Sequence, residues 1–169
     1  MRVASDGKRK YTLLTTEPAG PIPTVAELNA GEDFSCEVLT SGTTWTTAAS
    51  ETVDEKTECQ KGNVQGLGAE NYDTSITFVR GYKTTAGGGP DTTGTDAGYQ
   101  AVKKRGTEVW IYQRESDKDS AEPWATGDEI HLGGRVISDN PSRPDTDGSI
   151  KRLVPFLPQD MIVETLVAA

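Results

Sequence analysis

The clearest alternation of side chains along the chain lies in residues 108–115, whose sequence is EVWIYQRE. Successive side chains of a β-strand point to opposite faces, and here both faces are apolar. Val109 and Ile111 share one face, and Trp110 and Tyr112 share the other. A strand that is apolar on both faces is typical of one covered on both sides. The pattern therefore predicts a central strand anchored by these four side chains.

A short helix is predicted immediately before this strand. Asp96 is a favourable N-cap, and Gly106 can adopt the left-handed conformation that ends a helix. A helix of about ten residues is marginal in water, so we expect it to pack on the body of the protein through Tyr99 and Val102. Positive charge is favourable at the C-terminal end of a helix dipole, and the predicted last turn carries three basic residues: Lys103, Lys104 and Arg105.

An amphipathic strand is predicted between residues 72 and 78. Its apolar side chains align on one face, at Tyr72, Ile76 and Phe78. Its polar side chains align on the other face, at Asp73, Ser75 and Thr77. This alternation is typical of an antiparallel strand with one face in the core and the other in water.

The N-terminal half contains a capping box, Thr24-Val-Ala-Glu27, which predicts a short helix held down by Leu28 and ended by Gly31. The next predicted strand places three side chains on one face: Phe34, Cys36 and Val38. Over residues 46–67 the hydrophobic pattern fades. We therefore expect a long loop there, with one short strand at most.

The C-terminal part predicts three further strands. Residues 128–138 form the first, in which Gly133-Gly134 indicates a bulge or a close approach of two backbones. Residues 150–157 and 161–167 form the other two, separated by Pro158.

Taken together, about seven short strands and one longer helix predict a mainly β domain spanning residues 1–169. The expected fold class is β-rich α+β: an antiparallel β-sandwich or open barrel flanked by one α-helix, with long loops. Residues 1–9 are expected to form an N-terminal arm, and residues 159–169 a C-terminal segment.

The charge of the chain argues against a protein that grips nucleic acid. The formal net charge is -9 and the isoelectric point is near 4.6. A nucleic-acid-binding protein neutralises phosphates with clustered Lys and Arg. Two cysteines in a chain of this size are expected to be reduced thiols.

No arrangement of residues in the sequence indicates catalysis or a cofactor. The single histidine, His131, lies within a strand pattern and is interpreted as a polar residue on a strand face. Zinc ligands at the usual spacings are absent from the sequence. A loose calcium site at Asp145 and Asp147, or at Asp117 and Asp119, is the alternative to reading these residues as turn-forming aspartates. The chain is therefore predicted not to be an enzyme.

Several segments, taken in order, resemble the major tail tube proteins of long-tailed bacteriophages that infect actinobacteria. They are the opening MRVASDGKRKYTLLTTEPAGPIPTVAELNAGEDFSCEVL, then AGYQAVKKRGTEVWIYQRE, WATGDEI, VISDNPSRP and IKRLVPF. The PTVAELNAG and DNP elements are the most specific of these. The resemblance covers nearly the whole chain.

The resemblance implies a structural virion protein without turnover. Six copies would close into a ring, rings would stack into a tail tube, and the genome would pass through the channel into the host. The implied partners are other copies of the chain, a tape-measure protein, the tail terminator and tail-tip proteins, and double-stranded DNA in transit. No membrane partner is implied. Assembly in the host cytoplasm and a final location in the virion tail follow from the same resemblance.

Within that reading, we expect the polar strand face with Asp73, Ser75 and Thr77 to face the channel. We expect Lys103, Lys104 and Arg105 to meet an acidic neighbour across a subunit boundary. Two alternatives stay open: a tail terminator that forms one ring, and a carbohydrate-binding sandwich that uses Trp45 or Trp124 as a stacking platform.

Overall fold

The computed structural model describes residues 4–85, 87–144 and 147–169. The chain is mostly β, as predicted, with two short α-helices and one 3-10 turn. The strands are β1 (Arg9–Leu14), β2 (Glu32–Asp33), β3 (Thr44–Ala48), β4 (Thr52–Glu55), β5 (Val64–Leu67), β6 (Asn71–Val79), β7 (Glu108–Glu115), β8 (Glu129–Ser138) and β9 (Lys151–Leu166). The helices are α1 (Val25–Ala30) and α2 (Ala97–Val102), and the 3-10 turn is Ser35–Glu37.

Seven strands form one antiparallel sheet in the order β2-β1-β7-β8-β9-β6-β3. The long strand β9 connects its two halves, because residues 151–155 pair with β6 and residues 156–166 pair with β8. The sheet curls so that Trp45 of β3 donates its indole N–H to the carbonyl oxygen of Leu132 of β8, at 3.0 Å. The predicted sandwich or open barrel is therefore a single sheet folded on itself.

The main core fills the space inside this curled sheet. It combines side chains from six strands with α2, including Ile76, Phe78, Val102 and Ile111, none of which is exposed to solvent. Burial of each such side chain stabilises the fold by roughly 1.5 to 3 kcal/mol. Val109 and Tyr99 belong to the same cluster.

A second hydrophobic cluster covers the outer face of β1, β7 and β8. Tyr112 is buried in it and the half-buried Trp110 packs against it, together with Leu28 of α1 and Trp124 of the loop after β7. Strand β7 is thus covered on both sides. The helix that covers its outer side is α1, whereas α2 packs against the main core.

Helix α1 begins and ends with the residues that the sequence indicated. Glu27 N–H donates to the hydroxyl of Thr24, and the Glu27 carboxylate accepts from Thr24 N–H at 2.8 Å, which completes the capping box. Gly31 caps the C-terminus in an extended conformation and not in the predicted left-handed one. The backbone conformation at this position therefore does not require glycine. A Cβ at Gly31 would lie 2.9 Å from the carbonyl oxygen of Leu13, so close packing against β1 is the reason.

Helix α2 differs from its prediction at both ends. It ends at Val102, and the three basic residues lie in the turn beyond it. Asp96 makes no side-chain cap. Instead, the buried Glu37 accepts the N–H groups of Gly98 and Tyr99, at 3.0 and 3.1 Å, with one carboxylate oxygen each.

This capping role explains why the predicted strand through Phe34, Cys36 and Val38 is wrong. The 3-10 turn in this segment buries Phe34 and Glu37 and leaves Cys36 exposed. Its side chains therefore do not share one face.

Two further predictions are corrected. The predicted loop 46–67 contains the end of β3 and a β-hairpin formed by β4 and β5. The two predicted C-terminal strands are one, because β9 continues through Pro158 with a register shift opposite Arg135 and Val136. Gln159, next to the proline, is the extra residue of a β-bulge. Pro158 has no N–H to donate to the neighbouring strand, and a bulge is one of the places where a sheet accommodates proline.

The predicted close approach at Gly133-Gly134 is confirmed. Gly134 has a φ of 148°, and a Cβ at this position would collide with the carbonyl oxygen of Asp160 in β9.

Candidate assembly surfaces

The outer face of β3 and β6 carries polar side chains, whereas the first part of β9 contributes Leu153 and Pro155 to the same face. Asp73 is exposed and lies opposite Thr46, while Ser75 is half-buried between Thr44 and Pro155. Thr77, the third residue predicted for this face, is only 3% exposed. Its hydroxyl donates to the Gly42 carbonyl at 2.8 Å, beneath the turn before β3. The exposed part of the predicted wet face is therefore Asp73 and Ser75.

Strands β4 and β5 form a separate two-stranded sheet, which we call the hairpin (residues 51–69). Every residue of both strands is exposed, including Val53 (49%), Val64 (52%) and Leu67 (88%). An isolated two-stranded hairpin is marginally stable at best in water. Within one subunit these apolar side chains are left uncovered.

The basic turn, residues 103–105, combines a fixed backbone with projecting charges. The carbonyl oxygen of Lys104 accepts from the hydroxyls of Ser138 and Thr107, at 2.8 and 2.7 Å. All three basic side chains are exposed, and the ion pair of Arg105 with Asp139 is an exposed one at 3.3 Å. The turn therefore presents positive charge from a defined position.

The N-terminal segment is attached to the body of the subunit. Ser120 N–H donates to the carbonyl oxygen of Gly7 at 2.8 Å, and Lys8 pairs with Asp119 at 2.6 Å. Strand β1 already begins at Arg9. Within the described residues, the predicted arm at 1–9 is therefore held down from Gly7 onwards.

The C-terminal segment is attached as well. Residues 159–166 belong to β9, and Val167 is buried. Ala168 accepts a hydrogen bond from the N–H of Val25, the first residue of α1, and donates one to the carbonyl oxygen of Pro23 in the loop before it, both at 3.1 Å. This segment is part of the sheet and not a free arm.

Buried charge networks fix the turns around these surfaces, and the pattern of the sequence did not indicate them. Arg80 binds both carboxylate oxygens of Asp96, at 2.7 and 2.8 Å, and its guanidinium lies 4.1 Å from the centre of the Tyr99 ring. Arg114, with no exposed surface, donates to Asp128 and to two carbonyl oxygens of the loop before β8. The only sequence signal for either network is a charged residue at an apolar position.

The pKa values of two buried carboxylates near α2, Asp96 and Glu37, shift in opposite directions. Burial alone would raise the pKa of Asp96, but hydrogen bonds from Arg80, Gln100 and Gly81 N–H hold it below its usual value. Burial raises the pKa of Glu37, and the nearby carboxylate of Asp96 adds to that increase.

The structure offers little support for site chemistry. His131 Nδ1 lies 2.5 Å from the carboxylate of Glu164, a residue on the neighbouring strand. In the described part of the chain, no group of three or more His, Cys, Asp or Glu side chains is placed to hold a metal ion. Asp145 of the predicted calcium site lies outside the described residues. No helix within the described ranges is long and apolar enough to cross a membrane.

Both candidate stacking platforms for a carbohydrate are buried. Trp45 is 5% exposed and Trp124 is 2% exposed, and each indole N–H is already hydrogen-bonded within the subunit. Neither tryptophan is therefore exposed to stack against a sugar ring, as the carbohydrate-binding alternative requires.

A family model described as phage tail tube protein matches residues 1–169. The chain belongs to the phage tail tube protein family. No curated protein matches the sequence significantly.

As a member of this family, the tail tube protein is a structural component of the phage tail that assembles into a tube. Its mainly antiparallel β fold agrees with that assignment.

Proposed function

We propose that six copies of this tail tube protein form a ring and that stacked rings form the tube through which double-stranded DNA enters the host. Residues 1–169 act as one domain, in a phage of actinobacteria. The observation that supports this most directly is the difference between the two sides of the folded sheet. One outer face is covered by α1 and Trp124, and the other is polar and carries Asp73.

In this proposal the outer face of β3 and β6, with its polar side chains, lines the channel. Asp73 and Ser75 present a carboxylate and a hydroxyl to the lumen, while Thr77, on the same strand face, is covered by the turn before β3. At physiological salt, charge repulsion reaches about 8 Å, so the carboxylates keep DNA from adhering to the wall without driving it along the axis. The tape-measure protein occupies the same channel during assembly in the host cytoplasm, and terminator and tip proteins close the ends.

The hairpin and the basic turn supply contacts between copies. A closed ring requires two different complementary surfaces on each copy. The hairpin, residues 51–69, carries four acidic and two basic residues, a net charge of −2, whereas residues 103–105 carry +3. Surfaces of opposite charge favour the correct encounter of two copies.

Electron cryomicroscopy of the purified protein tests the proposal. We expect tubes with six subunits per ring. Isolated single rings would favour the terminator-like alternative, and monomers at all concentrations would contradict self-assembly.

The channel face is tested by Asp73→Lys. We expect tubes that retain DNA or deliver the genome more slowly, because each ring then places positive charge in the lumen. Asp117→Lys is the matched control, since Asp117 is an exposed carboxylate in the loop after β7. Equal DNA retention by the two variants would contradict the placement of Asp73.

The hairpin is tested by replacing residues 52–67 with an Asn-Gly turn, which keeps β3 and β6 intact. We expect this variant to fold, because the removed residues belong to neither hydrophobic cluster. We expect it to form no tubes, because the contact between copies that the hairpin supplies is lost. Normal tubes from this variant would show that the hairpin is dispensable for assembly.

A further inference from the structure

Strands β8 and β9 change their buried faces at the same level of the sheet. In β8, Ile130 belongs to the second hydrophobic cluster, whereas Leu132, two residues later, belongs to the main core. Val163 of β9 packs against the main core, whereas Val167, just after the strand, belongs to the second cluster. Side chains two or four positions apart in a regular strand share one face. Each strand therefore contains an irregularity between these two side chains.

His131 and Glu164 are the residues at the two irregularities. His131 is the extra residue of a bulge in β8, because two residues of β7, Gln113 and Arg114, face the three residues 130–132. Glu164 has a φ of 45°, and it is the only described residue other than glycine with a positive φ. The pairing of β8 with β9 places His131 opposite Glu164, and the histidine Nδ1 lies 2.5 Å from the carboxylate. One side-chain contact thus joins both irregularities.

The backbone at Glu164 is strained. Contact of the Cβ with the backbone makes the left-handed conformation unfavourable for most residues, and only glycine and, less readily, asparagine and aspartate adopt it. Such a conformation persists only where the surrounding contacts enforce it. The contacts here are the one with His131 and those of the residues that follow, in which Val167 N–H donates to the carbonyl oxygen of Asp128 at 3.0 Å. These contacts offset the strain.

Residues 164–168, which we call the C-terminal latch, hold the start of α1. The two hydrogen bonds of Ala168 join the latch to the first residue of α1 and to the loop before it, and Val167 shares a hydrophobic cluster with Leu28 of α1. Of the five latch residues, only Val167 is buried. A segment with few buried contacts can open at a lower free energy than the whole domain.

We propose that the C-terminal latch and α1 open together as one local unit, and that the strain at Glu164 and its contact with His131 set how often this unit opens. Opening uncovers the second hydrophobic cluster at Leu28 and Trp124, while the main core inside the curled sheet stays closed. The proposal concerns a single subunit and does not depend on the proposed tube.

Amide hydrogen exchange followed by NMR on the dilute, unassembled full-length protein tests the proposal. We expect the amides of Leu28, Val167 and Ala168 to share one protection factor that is lower than that of Ile111, which global unfolding alone exposes. Equal protection of all four amides would overturn the proposal, because the latch would then open only with the whole domain. Lower protection at Ala168 than at Leu28 would also overturn it, because α1 would then stay closed.

The role of the side-chain contact is tested by His131→Ala. We expect the three amides of the unit to exchange about two- to fivefold faster relative to Ile111, within the range for an exposed ion pair. Arg9→Ala is the matched control, since it breaks the exposed Arg9–Glu115 pair of the same sheet, at 2.6 Å, and should leave the ratio unchanged. Equal ratios in the two variants would contradict a role of His131 in the latch.

The role of the strain is tested in the His131→Ala background, where the contact is absent. Glu164→Asn and Glu164→Gln both introduce an uncharged amide, but only asparagine readily adopts the left-handed conformation. We expect the latch amides of the Asn variant to exchange about two- to fivefold more slowly than those of the Gln variant, each measured relative to Ile111. Equal ratios would show that strain at residue 164 does not control opening, and would overturn the proposal.

Discussion

Loss of the Asp96 carboxylate should destabilise the subunit more than any other single change at the end of the core near α2. Asp96 has no exposed surface and accepts four hydrogen bonds, two from Arg80 and one each from Gln100 and Gly81 N–H. The Asp96→Ala variant leaves the guanidinium of Arg80 buried without its counter-charge.

The burial of the Arg80–Asp96 ion pair determines how far Asp96→Ala lowers the free energy of unfolding. Breaking a buried ion pair by removing one partner costs about 3 to 5 kcal/mol. The Arg80 side chain is 8% exposed and stays confined beside the ring of Tyr99, so water cannot readily replace the carboxylate. A domain of this size is stable by about 5 to 15 kcal/mol, so we expect the variant to fold but to unfold at much lower denaturant concentration.

Urea unfolding of dilute, unassembled protein measures the difference, and Arg80→Met/Asp96→Leu provides the control. The double variant removes both charges and should be less destabilised than Asp96→Ala. A loss below about 1 kcal/mol for Asp96→Ala would refute the reasoning, and so would a double variant that is destabilised as much as Asp96→Ala or more.

The same pair predicts a pH dependence. The pKa of Asp96 is lower in the folded state than its usual value, because its hydrogen bonds outweigh the effect of burial. Its contribution to stability is therefore present above the unfolded pKa of about 4 and is lost as the pH falls through the folded value. We expect the difference in unfolding free energy between wild type and Asp96→Ala to shrink below about pH 4. A constant difference across this range would contradict a carboxylate role.

Two further predictions concern the basic turn and the sheet. Replacing Lys103, Lys104 and Arg105 together with Glu should impair tube formation in sedimentation assays and leave the melting temperature nearly unchanged, because all three side chains are exposed; a large fall in melting temperature would mean that they support the fold instead. Gly134→Ala should destabilise the subunit by several kcal/mol in thermal unfolding, because the added Cβ would collide with the carbonyl oxygen of Asp160. For comparison, Ala101→Gly in α2 should lower the unfolding free energy by only about 1 kcal/mol.

The parts of the fold that the sequence predicted are those in which neighbouring residues determine the outcome. The alternation in β7, the capping box at Thr24 and the apolar face of β6 each depend on side chains a few positions apart. The 3-10 turn at residues 35–37 could not be predicted in this way. It exists because Glu37 caps a helix about sixty residues later in the chain, and no local pattern records that contact.

The hairpin was missed for the opposite reason. Its strands bury neither face within one subunit, so selection for burial leaves no alternation to detect. A strand that is completed by another copy has a sequence pattern resembling that of a loop. The fading pattern over residues 46–67 is therefore compatible with a contact made only after assembly.

The same reasoning connects the hairpin to the two attached termini. Gly7 and Ala168 are hydrogen-bonded within the subunit, whereas every residue of β4 and β5 is exposed. The fold thus separates its surfaces: a covered side held by α1, a strand face carrying Asp73, and an exposed hairpin and a basic turn that differ from each other, as closure of a ring requires of two contacting surfaces.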